Sequence, residues 1–503
     1  MADMQKKITS ILIANRSEIS LRIQSSCEAL GIKTVAIYTK EDESLSFVSE
    51  ATEAYQLSHS GTHGYMDQEE IIAIAKKAKV DAIHPGYGFL SESAVFAQKV
   101  LDANIIWIGP APKVISQLGS KSNASRIMAD SGVPTLPHKA FFDSPEQKLI
   151  AKETAANIGY PIILKASLGG GGRGMEKVEK PSEFDQAWSS VASAGKRFFD
   201  SSDILLEKYI DNARHIEVQI AGDGKNFVHL FERECSVQRR RQKIIEETPC
   251  TFINRATKEK LYDAAIKAAK TVQCDNISTI EFLVTPDESF FFMEMNPRLQ
   301  VEHAVTEMIT GIDLVSLQIK IAETKKLPLK QNDVLVMGHA LECRIYSEKP
   351  EENFSPSTGK IEVFQIPNDP FSRIEHDLYE GINISSFFDP MIAKIITHGC
   401  SRNDTIERMN RILSKLTIYG IDTNINFLQE LIASDHFLRG KMHTQYLNNK
   451  VNVSTFFKEQ NSSSSSDNNI ALCLLSLLEK TQKTTPKTPQ KSTPNNWKSK
   501  QWQ

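Results

Sequence analysis

The chain has 503 residues, of which 40% are hydrophobic and 24% are charged, and its formal net charge is −3. This length exceeds what one hydrophobic core serves, and it predicts two to four domains of an ordinary globular protein. The nearly neutral charge balance argues against nucleic acid or an anionic membrane as a partner.

The seven cysteines are scattered along the chain, without a close pair or a zinc-like spacing. This distribution is typical of reduced, structural thiols in a reducing compartment. The first residues lack the apolar core of a signal peptide, and no run approaches the length of about 18 apolar residues that a membrane span needs. We therefore expect a cytoplasmic protein, with a matrix-targeted precursor trimmed before position 1 as the alternative.

The first third of the chain alternates short apolar runs with amphipathic stretches, which predicts an open parallel sheet covered by helices. Candidate strands lie at 11–14, 34–38, 81–84 and 105–108, and helices are predicted near 17–30, 67–78 and 93–103. The turn at 15–18, after the first strand, has no GxGxxG sequence, so a dinucleotide site is disfavoured.

A glycine-rich loop at 169–174 follows an apolar strand that ends near Lys165. Its backbone N–H groups can approach phosphate oxygens because no Cβ atoms intervene, and its flexibility suits a lid. It is not a P-loop, since the Gly-Lys-Ser/Thr ending is absent, so Lys165 would reach the phosphates from the strand. A flexible linker is the competing interpretation. The preceding strand and the embedded Arg173 favour a phosphate lid.

A dense cationic run at 234–243 follows two more predicted strands, one at 204–210 and one that carries His215, Glu217 and Gln219. A solvated face or a nucleic-acid patch would explain such a run equally simply. The neutral overall charge and the lack of interleaved aromatic residues argue against nucleic acid. Positive charge of this density offsets the repulsion between ATP phosphates and a second anion.

Two further segments, 278–284 and 289–294, are predicted to pair across the turn at 285–288. This pairing would set Glu281 beside Glu294, which gives two carboxylates for a divalent metal. Zinc is disfavoured because the sequence offers no His/Cys cluster.

Polar and apolar residues then alternate from Glu294 to Glu302. In an extended segment one face would carry Glu294, Asn296, Arg298, Gln300 and Glu302. These groups could bind Mg²⁺ or Mn²⁺, clamp a small oxyanion and move a proton. A straight strand would spread them over about 26 Å at roughly 3.3 Å per residue, so we expect the strand to end at Pro297. An amphipathic edge strand with a solvated face is the competing interpretation.

Several motifs in this order resemble the ATP-grasp ligases and, within them, the biotin carboxylases. The resemblance spans roughly residues 7 to 448 and rests on the segments 13–16, 84–92, 165–175, 234–247, 281–283, 294–303 and 338–345. It implies an α/β fold with an N-terminal open parallel-sheet, Rossmann-like domain that precedes the ATP-grasp domain. The ATP-grasp domain would carry a mobile glycine-rich lid, and an α+β C-terminal domain would follow. The implied boundaries are 1–120, 121–335 with the lid at about 138–208, 336–450, and a linker or disordered tail at 451–503.

The same resemblance implies a two-step reaction, in which bicarbonate attacks the γ-phosphate of Mg-ATP to give carboxyphosphate and ADP. The carboxyl group or released CO₂ then passes to N1′ of biotin. By this resemblance the catalytic residues are Glu302 as general base, Arg344, Lys243 and Arg298. ATP would be held by Lys121, Lys165, Gly169, Gly170, Gly171, Gly172, Glu207, Lys208, Ile210, His215, Gln238 and Leu283. Mg²⁺ or Mn²⁺ would be held by Glu281, Glu294 and Asn296, and bicarbonate and biotin by Lys243, Arg298, Gln300, Val301, Arg344 and Tyr87.

Biotin is expected on a separate carrier protein, unless the chain is a fragment, because no lysine is flanked by methionines in the Ala-Met-Lys-Met manner. The resemblance further implies a carboxyltransferase partner and a homodimer. The extension after 450 is more similar to the linker of acyl-CoA carboxylase α-subunits, of the propionyl or methylcrotonyl type, than to the end of acetyl-CoA carboxylase subunits.

Five positions depart from the family pattern: Ser17, Ser20, Ser120, Arg241 and Ala304. None of them is a presumed metal ligand, base or phosphate lysine, so activity is expected, with an altered nucleotide affinity from Arg241. Two alternatives stay open. One is another ATP-grasp carboxylate-amine ligase, and the other is a non-catalytic ATP-binding scaffold subunit of a carboxylase.

Overall fold

A computed structural model describes residues 7–167, 174–199 and 201–448. The predicted glycine lid, Gly169 to Gly172, and the predicted tail at 451–503 lie outside these residues.

The N-terminal part contains a parallel sheet with strands β1 (Ser10–Ile13), β2 (Lys33–Tyr38), β3 (Glu53–Gln56), β4 (Ala82–His84) and β5 (Ile106–Trp107). Its helices are α1 (Ser17–Ala29), α2 (Ser46–Glu50), α3 (Gly61–Met66), α4 (Gln68–Lys77), α5 (Ala94–Asp102) and α6 (Pro112–Leu118). The strand order is β3-β2-β1-β4-β5, so the chain reverses its direction of winding between β1 and β4. In open α/β sheets, ligands bind beyond the carboxyl ends of the strands at such a point.

A small antiparallel sheet follows, preceded by α7 (Lys121–Asp130). Its elements are β6 (His138–Phe141), α8 (Pro145–Ile158), β7 (Ile162–Ala166), β8 (Met175–Val178), α9 (Phe184–Phe199) and β9 (Ile204–Lys208). The strand order is β6-β9-β7-β8. Helix α9 packs on this sheet through Phe184 and Trp188, both of which are buried.

The strands of the remaining chain are β10 (Arg214–Gly222), β11 (Phe227–Arg239), β12 (Gln242–Thr248), β13 (Ile277–Val284), β14 (Phe290–Asn296), β15 (His339–Tyr346), β16 (Glu348–Lys349), β17 (Ser355–Pro356), β18 (Gly359–Lys360), β19 (Val363–Gln365), β20 (Ser372–His376), β21 (Asn383–Ile384), β22 (Met391–Gly399) and β23 (Thr417–Tyr419). The helices are α10 (Arg255–Thr271), α11 (His303–Thr310), α12 (Leu314–Thr324), α13 (Arg402–Leu413), α14 (Ile425–Ala433) and α15 (Asp435–Leu438). Short 3₁₀ helices lie at Lys40–Asp42, Pro181–Glu183, Gln331–Asp333, Pro350–Glu352 and Tyr446–Asn448.

A large antiparallel sheet organises this half, with the strand order β14-β13-β10-β11-β12-β15-β22-β20. The sheet crosses the domain boundary predicted at residue 336, because β12, before the boundary, pairs with β15, after it. Helix α10 covers one side of the sheet with a row of buried alanines and leucine that packs against Ile216, Val218 and Phe282. The predicted order of a parallel N-terminal sheet and a following antiparallel sheet is confirmed.

The described cysteines are free, and all of them except Cys400 are buried. Within the described part of the chain, we find no helix with the length and apolar character that crossing a membrane requires.

Candidate active site

A cavity of about 730 Å³ lies where the carboxyl ends of β1 and β4, the small sheet and the large sheet meet. Asn15, just after β1, ties the two strand ends together: its Nδ2 donates to the carbonyl oxygens of Pro85 and Tyr87, each at 2.7 Å. Of the described residues predicted for the site, Asn296 alone does not line this cavity.

Lys243 on β12 stands at the centre of three buried carboxylates. Its Nζ lies 2.6 Å from Glu217, 2.9 Å from Glu281 and 2.6 Å from Glu302. Burial alone would lower the pKa of this ammonium, but the three carboxylates raise it well above its usual value. Lys243 therefore stays a cation, and it compensates negative charge that would otherwise be costly to bury.

Glu302 is held between two cations. One carboxylate oxygen accepts from Lys243, and the other accepts from Nη2 of Arg344 on β15 at 2.9 Å. Burial alone would raise the pKa of Glu302, but Lys243, Arg344 and Arg233 hold it well below its usual range. At neutral pH the group is thus an ionised base on the wall of a cavity.

Strand β14 ends at Asn296, and the chain bends at Pro297, as the sequence predicts. The bend brings the next polar residues back towards β13. Arg298 donates through Nη1 to Gln300 at 2.6 Å, and Gln300 donates to Glu281 at 3.0 Å. Arg298 also donates through Nε to Glu92 at 3.1 Å. A guanidinium and an amide side by side can hold a small planar oxyanion.

Three residues predicted to hold ATP line the cavity from neighbouring strands of the small sheet. Lys165 on β7 forms an ion pair with Glu207 on β9. The Nζ of Lys208 donates to the carbonyl oxygens of Gly159 and Tyr160, at 2.8 and 3.2 Å.

His215 on β10 connects two residues of the predicted site, Gln238 and Glu281. Its Nδ1 lies 2.7 Å from Nε2 of Gln238, and its Nε2 lies 3.1 Å from Glu281. Ile210 and Leu283 add apolar surface to the lining. The structure therefore brings the predicted phosphate lysine, histidine and glutamine to one cavity.

Family models match the chain in three consecutive stretches. The biotin carboxylase N-terminal domain matches residues 7–115, the ATP-binding domain of the carbamoyl-phosphate synthase L chain matches 120–330, and the biotin carboxylase C-terminal domain matches 342–449. Biotin carboxylase 2 of Bacillus subtilis (strain 168) is 44% identical over 441 residues, which are 87% of this chain and 99% of that protein. This chain belongs to the biotin carboxylase family.

Solved structures agree with this assignment. The biotin carboxylase domain dimer of the Hydrogenobacter thermophilus 2-oxoglutarate carboxylase, in complex with MgADP, ADP and bicarbonate, matches with a TM-score of 0.86 and 38% identity, covering 89% of this chain and 99% of that chain. Biotin carboxylase of Campylobacter jejuni, in a β-γ-ATP complex, matches with a TM-score of 0.85 and 39% identity, covering 88% and 99%. The resemblance read from the sequence is confirmed, and the chain is an enzyme of the ATP-dependent ligase class.

A longer relative shares the same region. The α-subunit of mitochondrial methylcrotonoyl-CoA carboxylase from Dictyostelium discoideum is 41% identical over 478 residues, which are 94% of this chain and 68% of that protein. The biotin carboxylase family thus includes subunits of acyl-CoA carboxylases as well as biotin carboxylases that match over nearly their whole length.

The predicted metal site of this chain has suitable donor atoms. Glu281 and Glu294 are directly paired residues of β13 and β14, so their side chains leave the same face of the sheet. The carboxylate of Glu294 accepts from Lys121 at 2.7 Å. Two adjacent carboxylates are the hard oxygen ligands that Mg²⁺ and Mn²⁺ prefer, so these residues fit such an ion.

Asn296, the third predicted metal ligand, contacts one of these carboxylates. It lies outside the cavity lining, its Nδ2 donates to Glu281 at 3.0 Å, and its oxygen accepts from Arg298 at 3.3 Å. Its role as a metal ligand stays a prediction.

Two further groups of buried ligand-type residues are geometrically close: His215 with Glu217 and Glu281, and Glu217 with Cys235 and Glu302. The ammonium of Lys243 touches Glu217 and both of its carboxylate neighbours. Because Lys243 supplies the positive charge at this point, we assign no metal to these two groups.

Sequence reasoning missed three buried charged residues at the site. Glu217 and Arg233 form a pair at 2.6 Å behind Lys243, and both are fully buried. Glu246 lies 2.5 Å from the Arg344 guanidinium, opposite Glu302. Glu217 stands two positions after His215 on the same face of β10, so strand alternation was a signal for it. Arg233 and Glu246 depend on long-range strand pairing and gave no such signal.

The departures from the family pattern leave this arrangement in place. Arg241 lines the cavity and donates through Nη1 to the carbonyl oxygen of Met175 at 3.1 Å. Ser17 adopts a positive φ of 55°. The Ser120 hydroxyl lies within 3.2 Å of the hydroxyls of Ser122 and Ser167. Ser20 and Ala304 are fully buried.

Proposed function

We propose that this chain carboxylates biotin with ATP and bicarbonate, and that the residues named above perform the chemistry. The observation that carries the proposal is the setting of Glu302, an ionised carboxylate between Lys243 and Arg344, two residues from Gln300. A base flanked by cations suits an anionic substrate that must lose a proton before it can attack.

In the first step bicarbonate is held by Arg298, Gln300 and the Val301 backbone. Glu302 takes its proton, and Lys243 and Arg344 offset the charge of the resulting dianion. One oxygen of that dianion then forms a bond to the γ-phosphorus, while the bond to the bridging oxygen of ADP breaks. The products are carboxyphosphate and ADP.

In the second step the bond between the carboxyl carbon and the phosphate oxygen of carboxyphosphate breaks, and phosphate leaves and takes the proton from N1′ of biotin. N1′ then forms a bond to the carboxyl carbon, either directly or through released CO₂. Biotin is placed beside Tyr87, and the Arg344 guanidinium stabilises both carboxyphosphate and the enolate form of the ureido ring. Arg344 is buried and fixed by Glu246 and Glu302, so its guanidinium is preorganised for developing negative charge.

Lys121, Lys165, Glu207, Lys208, His215 and Gln238 hold the nucleotide, together with Ile210, Leu283 and the loop Gly169 to Gly172. Glu281, Glu294 and Asn296 hold Mg²⁺ or Mn²⁺. Such an ion, when bound, neutralises phosphate charge and aligns the γ-phosphate.

The test is ADP release from Mg-ATP by the purified chain, with and without bicarbonate and free biotin, beside a Glu302→Gln variant. We expect release to require bicarbonate, to rise with biotin and to fall at least about 10²-fold in the variant. Release that ignores bicarbonate although ATP binds would contradict the proposal.

We also propose the assembly and location. The acceptor is biotin on a separate carrier protein, a carboxyltransferase uses the product, and the chain forms a homodimer like the biotin carboxylase domain of the Hydrogenobacter thermophilus enzyme. The match to a methylcrotonoyl-CoA carboxylase α-subunit supports an acyl-CoA carboxylase. Free thiols support a reducing compartment such as the cytoplasm. A monomeric mass in light scattering at micromolar concentration would count against the dimer.

The domain division is likewise our proposal, with boundaries at 1–120, 121–335 and 336–450. The family-model matches at 7–115, 120–330 and 342–449 support it.

A further inference from the structure

The two peptide groups beside Val301 are each held at the carbonyl oxygen by a fully buried side chain. One of these is Lys394 on β22, which donates through Nζ to the Val301 oxygen at 2.8 Å. Its Nζ also lies 2.7 Å from Glu375 and 3.7 Å from Glu18. Burial alone would lower the pKa of Lys394, but these carboxylates raise it above its usual value. The ammonium is therefore charged and fixed from several sides.

The other is His303, the first residue of α11. Its Nδ1 lies 2.8 Å from the carbonyl oxygen of Gln300. A carbonyl can only accept, so Nδ1 carries the proton. Burial lowers the pKa of His303 to about 4, which keeps the ring neutral near pH 7. His303 thus acts as a fixed hydrogen-bond donor.

These contacts set the direction of two backbone N–H groups. In a trans peptide the N–H and C=O bonds point in opposite directions. The cis bonds of the described chain precede Pro161 and Pro249, so both peptides beside Val301 are trans. A Gln300 carbonyl held by His303 turns the Val301 N–H away from His303. A Val301 carbonyl held by Lys394 turns the Glu302 N–H away from Lys394.

We propose that His303 and Lys394 are positioning residues for bicarbonate, which fix the peptide groups on either side of Val301 so that their N–H groups face the anion. The inference rests on the proposed function, which places bicarbonate at Val301. Fixed N–H dipoles stabilise an anion without having to reorganise when it binds. Neither side chain lines the cavity, so both act through the backbone.

A purely structural role makes a different prediction. Lys394 pairs with Glu375, and loss of that pair alone would lower stability without selecting one substrate. A positioning role instead raises the KM for bicarbonate and leaves the KM for ATP unchanged. The split between the two KM values therefore separates the roles.

The first test compares His303→Leu with His303→Asn. The amide of asparagine can place a donor where Nδ1 of histidine stands, whereas leucine has none. We expect the KM for bicarbonate to rise about tenfold in His303→Leu, the cost of one misaligned hydrogen bond to an anion, and to recover in His303→Asn.

The second test uses Lys394→Met, which keeps the length of the side chain but removes its donor. Its matched control is Lys258→Met. Lys258 pairs with the buried Glu232 at 2.7 Å and does not line the cavity. We expect a rise of about tenfold in the KM for bicarbonate in Lys394→Met and no change in Lys258→Met.

Measurements on the wild-type chain distinguish a failure of the proposed function from a failure of this inference. If its ADP release does not depend on bicarbonate, the proposed function fails. If that dependence holds but the KM for bicarbonate stays at the wild-type value in folded His303→Leu, the inference is wrong. A parallel rise in the KM for ATP and the KM for bicarbonate would also overturn it. Melting curves identify the folded variants, and the His303 pair decides the matter should Lys394→Met not fold.

Discussion

Glu302 and Glu246 both contact the guanidinium of Arg344, yet their pKa values are shifted in opposite directions. Glu302 also touches Lys243, and the cations around it hold its pKa well below the usual value. Glu246 is buried, and this burial raises its pKa to about 7 against the attraction of Arg344. The cations around Glu302 thus keep it ionised at neutral pH, whereas burial favours the protonated form of Glu246.

Lys243→Met tests this reading. Loss of the ammonium leaves Glu302 with less positive charge around it, so the pKa of Glu302 rises. The acidic limb of the pH–rate profile then moves to higher pH, and kcat falls by about 10²–10³-fold because a charge that stabilises the anion is lost. Lys243→Arg keeps the charge and should return the limb towards that of the wild type. An unshifted limb in Lys243→Met would contradict the assignment of Glu302 as the base.

The backbone conformation of Ser17 is energetically unfavourable. It opens α1 with a φ of 55°, a left-handed conformation that disfavours any side chain with a Cβ atom. We expect Ser17→Gly to raise the free energy of unfolding by about 0.5–1 kcal/mol, because the relieved strain exceeds the added chain entropy of glycine. Ser25→Gly, at an exposed site in the same helix, should lower it. Chemical denaturation measures both, and a destabilised Ser17→Gly would show that the φ carries no strain.

At the scale of elements, Asp313 joins the N-terminal sheet region to the large sheet region. Its Oδ1 caps α12 by accepting from the Ser316 N–H at 2.8 Å, and it also accepts from Arg22 on α1 at 2.8 Å. The other oxygen accepts from the Ser26 hydroxyl at 2.6 Å. One carboxylate therefore stabilises a helix end and holds α1 against α12.

Asp313→Ala removes both functions. We expect it to lower the free energy of unfolding by about 1–2 kcal/mol from the lost cap. Asp313→Asn keeps an oxygen for the Ser316 N–H and should lose less. Equal losses in the two variants, measured by denaturant titration, would mean that the ion pair with Arg22 and not the cap determines the stability.

Several elements could be predicted because their signals are local. The apolar runs of β1 and β4 are buried on both faces, and Pro297 marks the end of β14. Strand β3 was missed, since its residues Glu53–Gln56 are mostly exposed and give no apolar run. The sequence predicted that the strands on either side of the turn at 285–288 pair and set Glu281 beside Glu294. The turn sets Phe282 opposite Phe292, and a register shift after this pair sets Glu281 opposite Glu294.

At the scale of the whole molecule, the site depends on contacts that no local pattern reveals. Arg344 lies opposite Lys394, and Lys394 opposite Glu375, across three adjacent strands of the large sheet. These residues are separated in sequence by loops and short strands. From the sequence alone, their charged side chains look like ordinary surface residues. Family motifs located Arg344, whereas Lys394 and Glu375 became visible as parts of the site only in the folded sheet.

Residues of both the small and the large sheet line the one cavity, and we propose that its two halves bind the two substrates. In this proposal the nucleotide-facing residues come from β7, β9 and β10, and the anion-facing residues come from β12, β15 and the bend after β14. Because Glu281 contacts both His215 and Lys243, the two halves share one carboxylate. An anion bound by Arg298 and Lys243 would thus lie next to a nucleotide bound by Lys165 and Glu207.

The most direct measurement follows oxygen from bicarbonate to phosphate. The chain is incubated with Mg-ATP, biotin and bicarbonate labelled with ¹⁸O, and the released phosphate is examined by mass spectrometry. If bicarbonate attacks the γ-phosphate, each phosphate gains one labelled oxygen, and Glu302→Gln forms labelled phosphate at least about 10²-fold more slowly. Phosphate that carries no label would mean that water attacks instead, which would contradict the account.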